Sequence, residues 1–580
     1  MLLFRWCRHH WFLLGLAAVF LLPWLAFSRS LVQDFAAIDD AFLIINNPTV
    51  HGVTLSHLKL AFTTFDPELY IPITLLSFQL DWLLGGGSAF VFHLTNLILH
   101  SVNAVLVAVL MNVLLRGNNH AKGMALSAAL LFAVHPLHTE AVVWAAGRKD
   151  LLSMFFFLVS ALLFLHTSIS PKKQKIMYIL SIVAFILGLL SKVLIATLPA
   201  ILLMYFVLMP RQTSVRRTIL KLSPFFLLSA VFLFVAMFGK ERILTSSSLL
   251  DTVLMAQKSA FFYLQKLTVP TRLTVIYPFQ RMITVLAPEF FLPLLINLGL
   301  LWIAFWQRRT RPLVSFGILF YFVTLAPTFF NFHKGDLLFF AVDRYAYIPS
   351  LGFFLVLTVL GSELCDRLRF SVRTRSAAVA VIVLIFVGLS MKQSTVWDSP
   401  DSLFGRSLAL YPESVSARMA LGSILRERNQ LAEAFEILRD GAKYSEHPGL
   451  NIEAGLVYSS AGQTDDAREQ FRIALQKNPH LAPALFYLGF LDAHDGQTDR
   501  AIEWYMKAIT EDPSYVTVRV HLADLLIKQQ RYDEAHRELT AAYDWNPVSA
   551  EVITAFIALE TARNNQAEVQ RWQAWRDRVL

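Results

Sequence analysis

Residues 89–115 read AFVFHLTNLILHSVNAVLVAVLMNVLL, 27 residues without Asp, Glu, Lys or Arg. A helix needs roughly 20 mostly apolar residues to cross a bilayer, so this stretch is long enough to span one. Working outward, similar runs lie near 11–28, 123–144, 150–167, 176–191, 193–209, 218–238, 286–306, 313–330, 349–365 and 376–391. They make about eleven candidate spans, with 176–191 and 193–209 the shortest. The first follows Arg5 and Arg8 without a small-residue cleavage site and reads as an uncleaved anchor.

Composition changes where the runs stop. Residues 1–391 hold 31 Lys+Arg and 15 Asp+Glu, 12% charged; residues 392–580 hold 20 and 27, 25% charged. The second figure is that of a soluble domain; the first is that of a membrane protein. Over all 580 residues the chain is 56% hydrophobic with 47 Phe, and its mean hydropathy is +0.52. An ordinary soluble enzyme and a disordered chain are both excluded. The net charge of +9 is no nucleic-acid signal, because the basic residues sit in short loops between apolar runs. Only Cys7 and Cys365 are present, which rules out a disulfide framework.

Basic loops set the expected orientation. Arg5 and Arg8, Arg116–Lys122, Lys172–Lys175, Arg211–Lys221, Arg308–Arg311 and Arg367–Arg375 follow every second span, so eleven spans place them all on the cytoplasmic side. Both cysteines then face the reducing compartment. The long segments 29–88, 239–285 and 331–348 fall outside, as does the C-terminal third. Residues 55–65 and 69–84 have the pattern of amphipathic helices at the membrane interface.

From Tyr411 the sequence repeats. Gly422, Gly455, Gly489 and Ala523 keep a period near 34, as do Ala434, Ala467, Ala501 and Ala535, and Pro412, Pro448, Pro479, Pro513 and Pro547 punctuate the units. Three landmarks on one period identify the tetratricopeptide repeat, with four units and a degenerate fifth, bearing Trp572 and Trp575, as cap. Such arrays bind proteins or peptides in a concave groove, so chemistry belongs upstream. The expected division is a membrane domain over 1–391 with its first external loop at 29–88, a linker over 392–412, and repeats over 413–580.

Three blocks carry ionisable residues at the outer ends of helices, where such residues are costly and usually functional. Asp39-Asp40, in the loop before Asn46-Asn47-Pro48, suit a general base that deprotonates a hydroxyl; a solvated turn is the plainer reading. His135-Pro-Leu-His138-Thr-Glu140 runs on to Arg148-Lys149-Asp150. His138 and Glu140 lack helical i,i+4 spacing and an obvious third ligand, so a divalent metal is possible there but not favoured. Arg148 and Lys149 defy the cytoplasmic bias of basic residues and suit a lipid phosphate. Arg344-Tyr345, in the last external segment near His333 and Lys334, offers a bidentate phosphate ligand and a stacking ring.

Taken in order, these blocks resemble a known family. The Asp39-Asp40 loop into Asn47-Pro48, His135 to Asp150, Arg344-Tyr345 to Gly352, and Trp397-Asp398 leading into the repeats are similar to the transmembrane and tetratricopeptide-repeat-containing O-mannosyltransferases and their bacterial relatives, which are GT-C glycosyltransferases. The resemblance implies an all-α polytopic membrane protein of GT-C type followed by an α-solenoid. It implies an inverting transferase that moves mannose or a similar hexose from a polyprenyl-phosphate donor to a protein hydroxyl. Asp39 or Asp40 is then the base; His135, His138, Glu140, Arg148, Lys149, Arg344 and Tyr345 bind substrate, and no cofactor is required. The partners are the lipid-linked donor, a protein or peptide acceptor in the repeat groove, and membrane lipids. A short array and the lack of an Asn-x-Ser/Thr sequon point to a bacterial inner membrane with periplasmic repeats. A non-catalytic envelope scaffold and a lipid-linked-saccharide flippase are the alternatives.

Overall fold

The computed structural model describes residues 2–36, 38–65, 69–167, 174–209, 215–240, 248–279, 282–334 and 337–579. It is helical nearly throughout. The described strands, Tyr277–Pro278, His333–Lys334 and Leu337–Ala341, form a small antiparallel sheet with the last of them central. Backbone contacts divide the chain into two units, residues 1–46 with 65–403, and residues 47–64 with 404–580.

In the first unit each of the eleven apolar runs lies on helix. Among the described residues seven helices are long and apolar enough to cross a membrane, and an eighth span forms if Ala121–Ala133 and Pro136–Val143, bent by 51°, count as one. The break is at Pro136, which has no N–H to donate and whose ring crowds the preceding turn. Gln174–Leu189 and Val193–Leu208 are shorter apolar helices. Ser350–Arg367 spends its last turns on Glu363, Asp366 and Arg367. The expected eleven thus become seven full spans and several shorter or broken ones.

Burial sorts these helices into an inner and an outer set. Ala89–Leu114, Ala145–Thr167 and Pro312–Phe330 have over half of their most apolar stretch buried, whereas Val215–Met237 and Pro288–Gln307 have 17% and 22%. An outer helix with an apolar surface needs lipid around it, and its backbone can satisfy itself there. The inner helices use polar residues as ties. Asn96 and Asn103, buried on Ala89–Leu114, donate through Nδ2 to Trp144 O at 2.8 Å and Leu151 O at 2.9 Å. Pro312–Leu325 and Ser350–Arg367 cross with backbones almost touching: a Cβ on Gly352 would lie 2.4 Å from Gly317 O. Two glycines at one crossing permit that approach.

In the second unit five helix pairs follow one another: Val415–Glu427 with Leu431–Gly441, Pro448–Ser460 with Thr464–Lys477, Ala482–His494 with Thr498–Glu511, Val516–Lys528 with Tyr532–Trp545, and Ala550–Ala562 with Gln566–Val579. Gly455 and Gly489 sit directly against Phe471 and Tyr505 of their partner helices, which is why small residues recur on the 34-residue period. The last pair closes on Trp572, stacked on Phe556 at 4.1 Å, and Trp575 Nε1 donates to Pro547 O. Residues 392–412, expected as a linker, are largely helical, in the end of Val372–Ser394 and in Pro400–Leu410.

Candidate active site

The site grows from the bend at residues 134–150. After Pro136 the chain makes short turns to Gly147 and starts a new helix, Arg148–Thr167. Two cations at a helix N-terminus oppose the helix dipole, so each needs a carboxylate. Arg148 finds Asp81, Nη2 to Oδ2 at 2.6 Å, and also donates to Phe92 O and to Asn96 Oδ1. It is fully buried with all its polar groups engaged among Pro72–Gly85 and Ala89–Leu114. Arg148, expected to hold substrate, does not line the cavity described below; it ties these two helices together.

Lys149, one residue on and about 100° around the helix, faces elsewhere. Its Nζ lies 3.4 Å from Asp39 Oδ2 and 4.6 Å from the centre of the Trp144 ring. Asp150 takes a third direction and pairs with Lys192 at 2.5 Å. Lys192 sits in the turn between Gln174–Leu189 and Val193–Leu208. That turn is fixed by Ile73 N donating to Leu190 O and Thr74 Oγ1 donating to Ser191 O. Burial pulls the Lys192 ammonium down to about 8, against the pull of Asp150 and with help from Arg344 and Lys149.

Arg344 comes from the far side of the sequence, on the 3-10 turn Asp343–Ala346. Its guanidinium pairs with Glu140, whose other oxygen accepts Arg344 N–H at 3.0 Å. The Arg344 Nε has no hydrogen-bond partner among the described residues. The guanidinium lies 5.0 Å from the Trp144 ring and 5.4 Å from Tyr345, so Trp144 underlies both Lys149 and Arg344.

Asp39, Lys149, Lys192, Arg344, Tyr345, Tyr70 and Asn331 line one cavity. Phe232, Val235 and Ala236 of the outer helix Val215–Lys240 form an apolar wall. The cavity therefore joins three paired cations to a greasy side, the arrangement an amphiphilic anion requires.

The two loop carboxylates separate cleanly. Asp39 lines the cavity with its side chain 45% exposed. Asp40 is fully buried, and its oxygens accept Ala36 N–H and Ala146 N–H, both at 2.8 Å. Burial pushes its carboxyl up to about 7, although those two hydrogen bonds and Lys149 favour the anion. Asp40, the second candidate base, joins the loop to the bend and is not on the cavity wall.

The two histidines expected to bind substrate also lie off the cavity wall. His135 accepts Leu137 N–H at Nδ1, so its Nε2–H donates to Leu267 O. His138 Nδ1–H donates to Phe132 O, and its Nε2 contacts Ser350 Oγ. Both rings are buried, His138 against Phe132 and Tyr347, and neither lines the cavity. Glu140 serves the site through Arg344, which it orients. Among the described residues no group of three or more His, Cys, Asp or Glu is placed to hold a metal ion. His333 and Lys334 have only their backbone described, as part of the sheet. Sequence reading missed Lys192, although a lone cation between two short apolar runs was its signal.

The fold and cavity define a helical multi-pass membrane protein that carries tetratricopeptide repeats, and comparison with known proteins agrees. Tetratricopeptide repeat profiles match residues 402–448 and 452–516 and residues 492–559. The chain is similar over most of its length to "Protein O-mannosyl-transferase TMTC3" of Homo sapiens, 22% identical, covering 91% of this chain and 64% of the relative. It is 39% identical to "Protein O-mannosyl-transferase TMTC4" of Homo sapiens over 155 residues, 23% of this chain and 21% of that protein. The chain thus spans less than two-thirds of the length of these relatives. A solved structure, "Functional Characterization of Pseudomonas Aeruginosa pilF", aligns with 32% of this chain and 83% of its own at 17% identity and a TM-score of 0.27.

Proposed function

We propose that this chain is an inverting glycosyltransferase that moves a hexose from a polyprenyl-phosphate donor to a protein hydroxyl on the non-cytoplasmic side of a bacterial inner membrane. One observation carries the reading: Asp39, Lys149, Lys192 and Arg344, from four separate segments, line a single cavity with an apolar wall. The names of the similar proteins, O-mannosyl-transferases, support it.

The lipid-linked donor enters from the membrane beside Phe232 and Val235, with its phosphate among Lys149, Lys192 and Arg344. Asp39 takes the proton of the acceptor hydroxyl, whose oxygen forms a new bond to the anomeric carbon from the face opposite the lipid phosphate. The glycosidic carbon–oxygen bond to that phosphate breaks, and its electron pair leaves with the phosphate. Preorganised cations stabilise the charge that develops there. Each cation rests on a carboxylate, so none is left bare. Trp144 and Glu140 hold Arg344 in place, and Asp40 holds the loop that carries Asp39. The repeats present the acceptor.

Donor binding tests the phosphate role. With a polyprenyl-phosphate hexose in detergent, affinity is expected to fall in the order Arg344, Arg344→Lys, Arg344→Ala. The end-to-end loss is about tenfold or more, because a charge-assisted pair is worth about 1.5–3 kcal/mol and an ammonium keeps the charge but not the planar fork. Equal affinity across the three proteins would remove Arg344 from the donor site.

A further inference from the structure

Trp397-Asp398, at the end of the last apolar helix, has no part in the chemistry so far described. Val372–Ser394 stops there in a 3-10 turn, Thr395–Trp397. Asp398, the next residue, accepts from Arg29 at both oxygens, Nε to Oδ1 at 3.0 Å and Nη2 to Oδ2 at 2.8 Å. Gln33 Nε2 donates to the same carboxylate at 2.6 Å and to Ser394 O at 2.8 Å. A two-point guanidinium–carboxylate pair fixes direction as well as distance, so the turn is held in one orientation. Arg29 and Gln33 open the segment that carries Asp39.

The turn buries Trp397 and sets its ring 6.4 Å from that of Trp144, 26° from parallel. Trp144 is the ring beside both Lys149 and Arg344, at 4.6 Å and 5.0 Å. Its backbone is held, since Trp144 O accepts from Asn96, but that leaves the side chain free to turn about its own torsions. A buried indole normally fixes its ring plane by donating its N–H. Trp144 Nε1 has no such partner among the described residues. Packing therefore sets the plane of this ring, and Trp397 is stacked on it. Lys192, the third cavity cation, rests instead on Asp150 and lies 5.6 Å from the Tyr345 ring.

We propose that Trp397 is a positioning residue for the donor site: stacked on Trp144, it holds the ring against which Lys149 and Arg344 rest, and Asp398 holds Trp397. It touches no substrate and acts on two of the three cavity cations. A cation over an indole face is attracted to that face, so a ring that tilts carries both cations with it or releases them. The inference rests on the phosphate role given to these cations, and it adds a residue outside the cavity that sets where they stand.

The test uses the full chain in detergent with two readouts. Acetylation by acetic anhydride, followed by peptide mass spectrometry, reports the freedom of each cavity amine and needs no donor. Trp397→Leu is expected to speed acetylation of Lys149 severalfold and to leave Lys192 unchanged. Trp397→Phe, which keeps a stacking ring, should restore the wild-type pattern. Asp398→Asn, which keeps the shape but loses the charge that holds Arg29, should show the Trp397→Leu pattern more weakly. The second readout is binding of a polyprenyl-phosphate hexose. Trp397→Leu should weaken it about fivefold, the size of one aromatic pair. Combined with Arg344→Ala, the two losses should fall short of multiplying, because the second change removes a cation through which the first acts. Unchanged acetylation of Lys149 in Trp397→Leu, an equal rise at Lys149 and Lys192, or donor affinity equal to wild type overturns the proposal. A wild type that binds no donor would instead remove the transferase reading, and the acetylation pattern would still decide whether Trp397 positions the cations.

Discussion

Asp39 and Asp40 are adjacent, yet one faces the cavity and the other is buried against two backbone N–H groups. The sequence could offer both as a base, because a turn, and not a pattern, decides which carboxylate points where. The same limit separated Arg148 from Lys149. Two neighbouring cations outside the usual cytoplasmic loops were visible, but helical rotation by about 100° sends them to different partners. Asp40 makes a thermodynamic prediction. Its carboxyl titrates near 7 in the folded chain and near 3.9 when unfolded. A carboxyl raised on folding contributes stability below the unfolded value and loses it as pH rises through the folded one. Between pH 5 and 7 the wild type should therefore lose stability relative to Asp40→Asn, by at most about 1.4 kcal/mol per pH unit. Thermal unfolding in detergent at pH 5, 6, 7 and 8 measures the difference; parallel curves for the two proteins would show that Asp40 is ionised throughout.

At the scale of elements, apolar runs and a 34-residue period placed most helices of both units, but not Leu249–Thr268, which lies in the segment 239–285 read as an external loop. What they left open was length and direction. The run 123–144 reads as one helix but breaks at Pro136, and after that break Lys149 reaches the cavity wall while Glu140 and Trp144 are buried against Arg344. The pair 176–191 and 193–209 is short because Lys192 interrupts it, and the interruption supplies a cavity cation. The crossing of Pro312–Leu325 with Ser350–Arg367 depends on Gly317 and Gly352, whose spacing carries no signal until the two helices are known to meet. A methyl group at Gly352 would press on the Gly317 carbonyl, and overpacking of this kind costs about 1–3 kcal/mol. Gly352→Ala is accordingly expected to lower the thermal midpoint of the membrane unit by several degrees, while Gly361→Ala, where a Cβ meets nothing within 4 Å, should not. Equal midpoints would mean that the helices separate without cost.

For the whole molecule, the break in composition near residue 391 already divided membrane from repeat sequence. The segment 47–64, which groups with the repeats, gave no sign of that in its residues. Orientation rests on the basic loops, and it predicts that a reporter active only outside the cytoplasm works after Leu580 and is silent near Lys173; the reverse result would put the repeats in the cytoplasm. The central claim is that Asp39 removes a proton from an acceptor at a cavity built to hold a lipid-linked sugar phosphate. Its most direct measurement is transfer from a polyprenyl-phosphate hexose to total membrane protein by purified wild type and Asp39→Asn, read by mass spectrometry beside donor binding. Loss of a general base costs about 10²–10⁴ in rate, so the variant should bind donor within about twofold of wild type and transfer at least a hundredfold more slowly. Transfer by Asp39→Asn at near wild-type rate, with donor bound as tightly, would contradict the account.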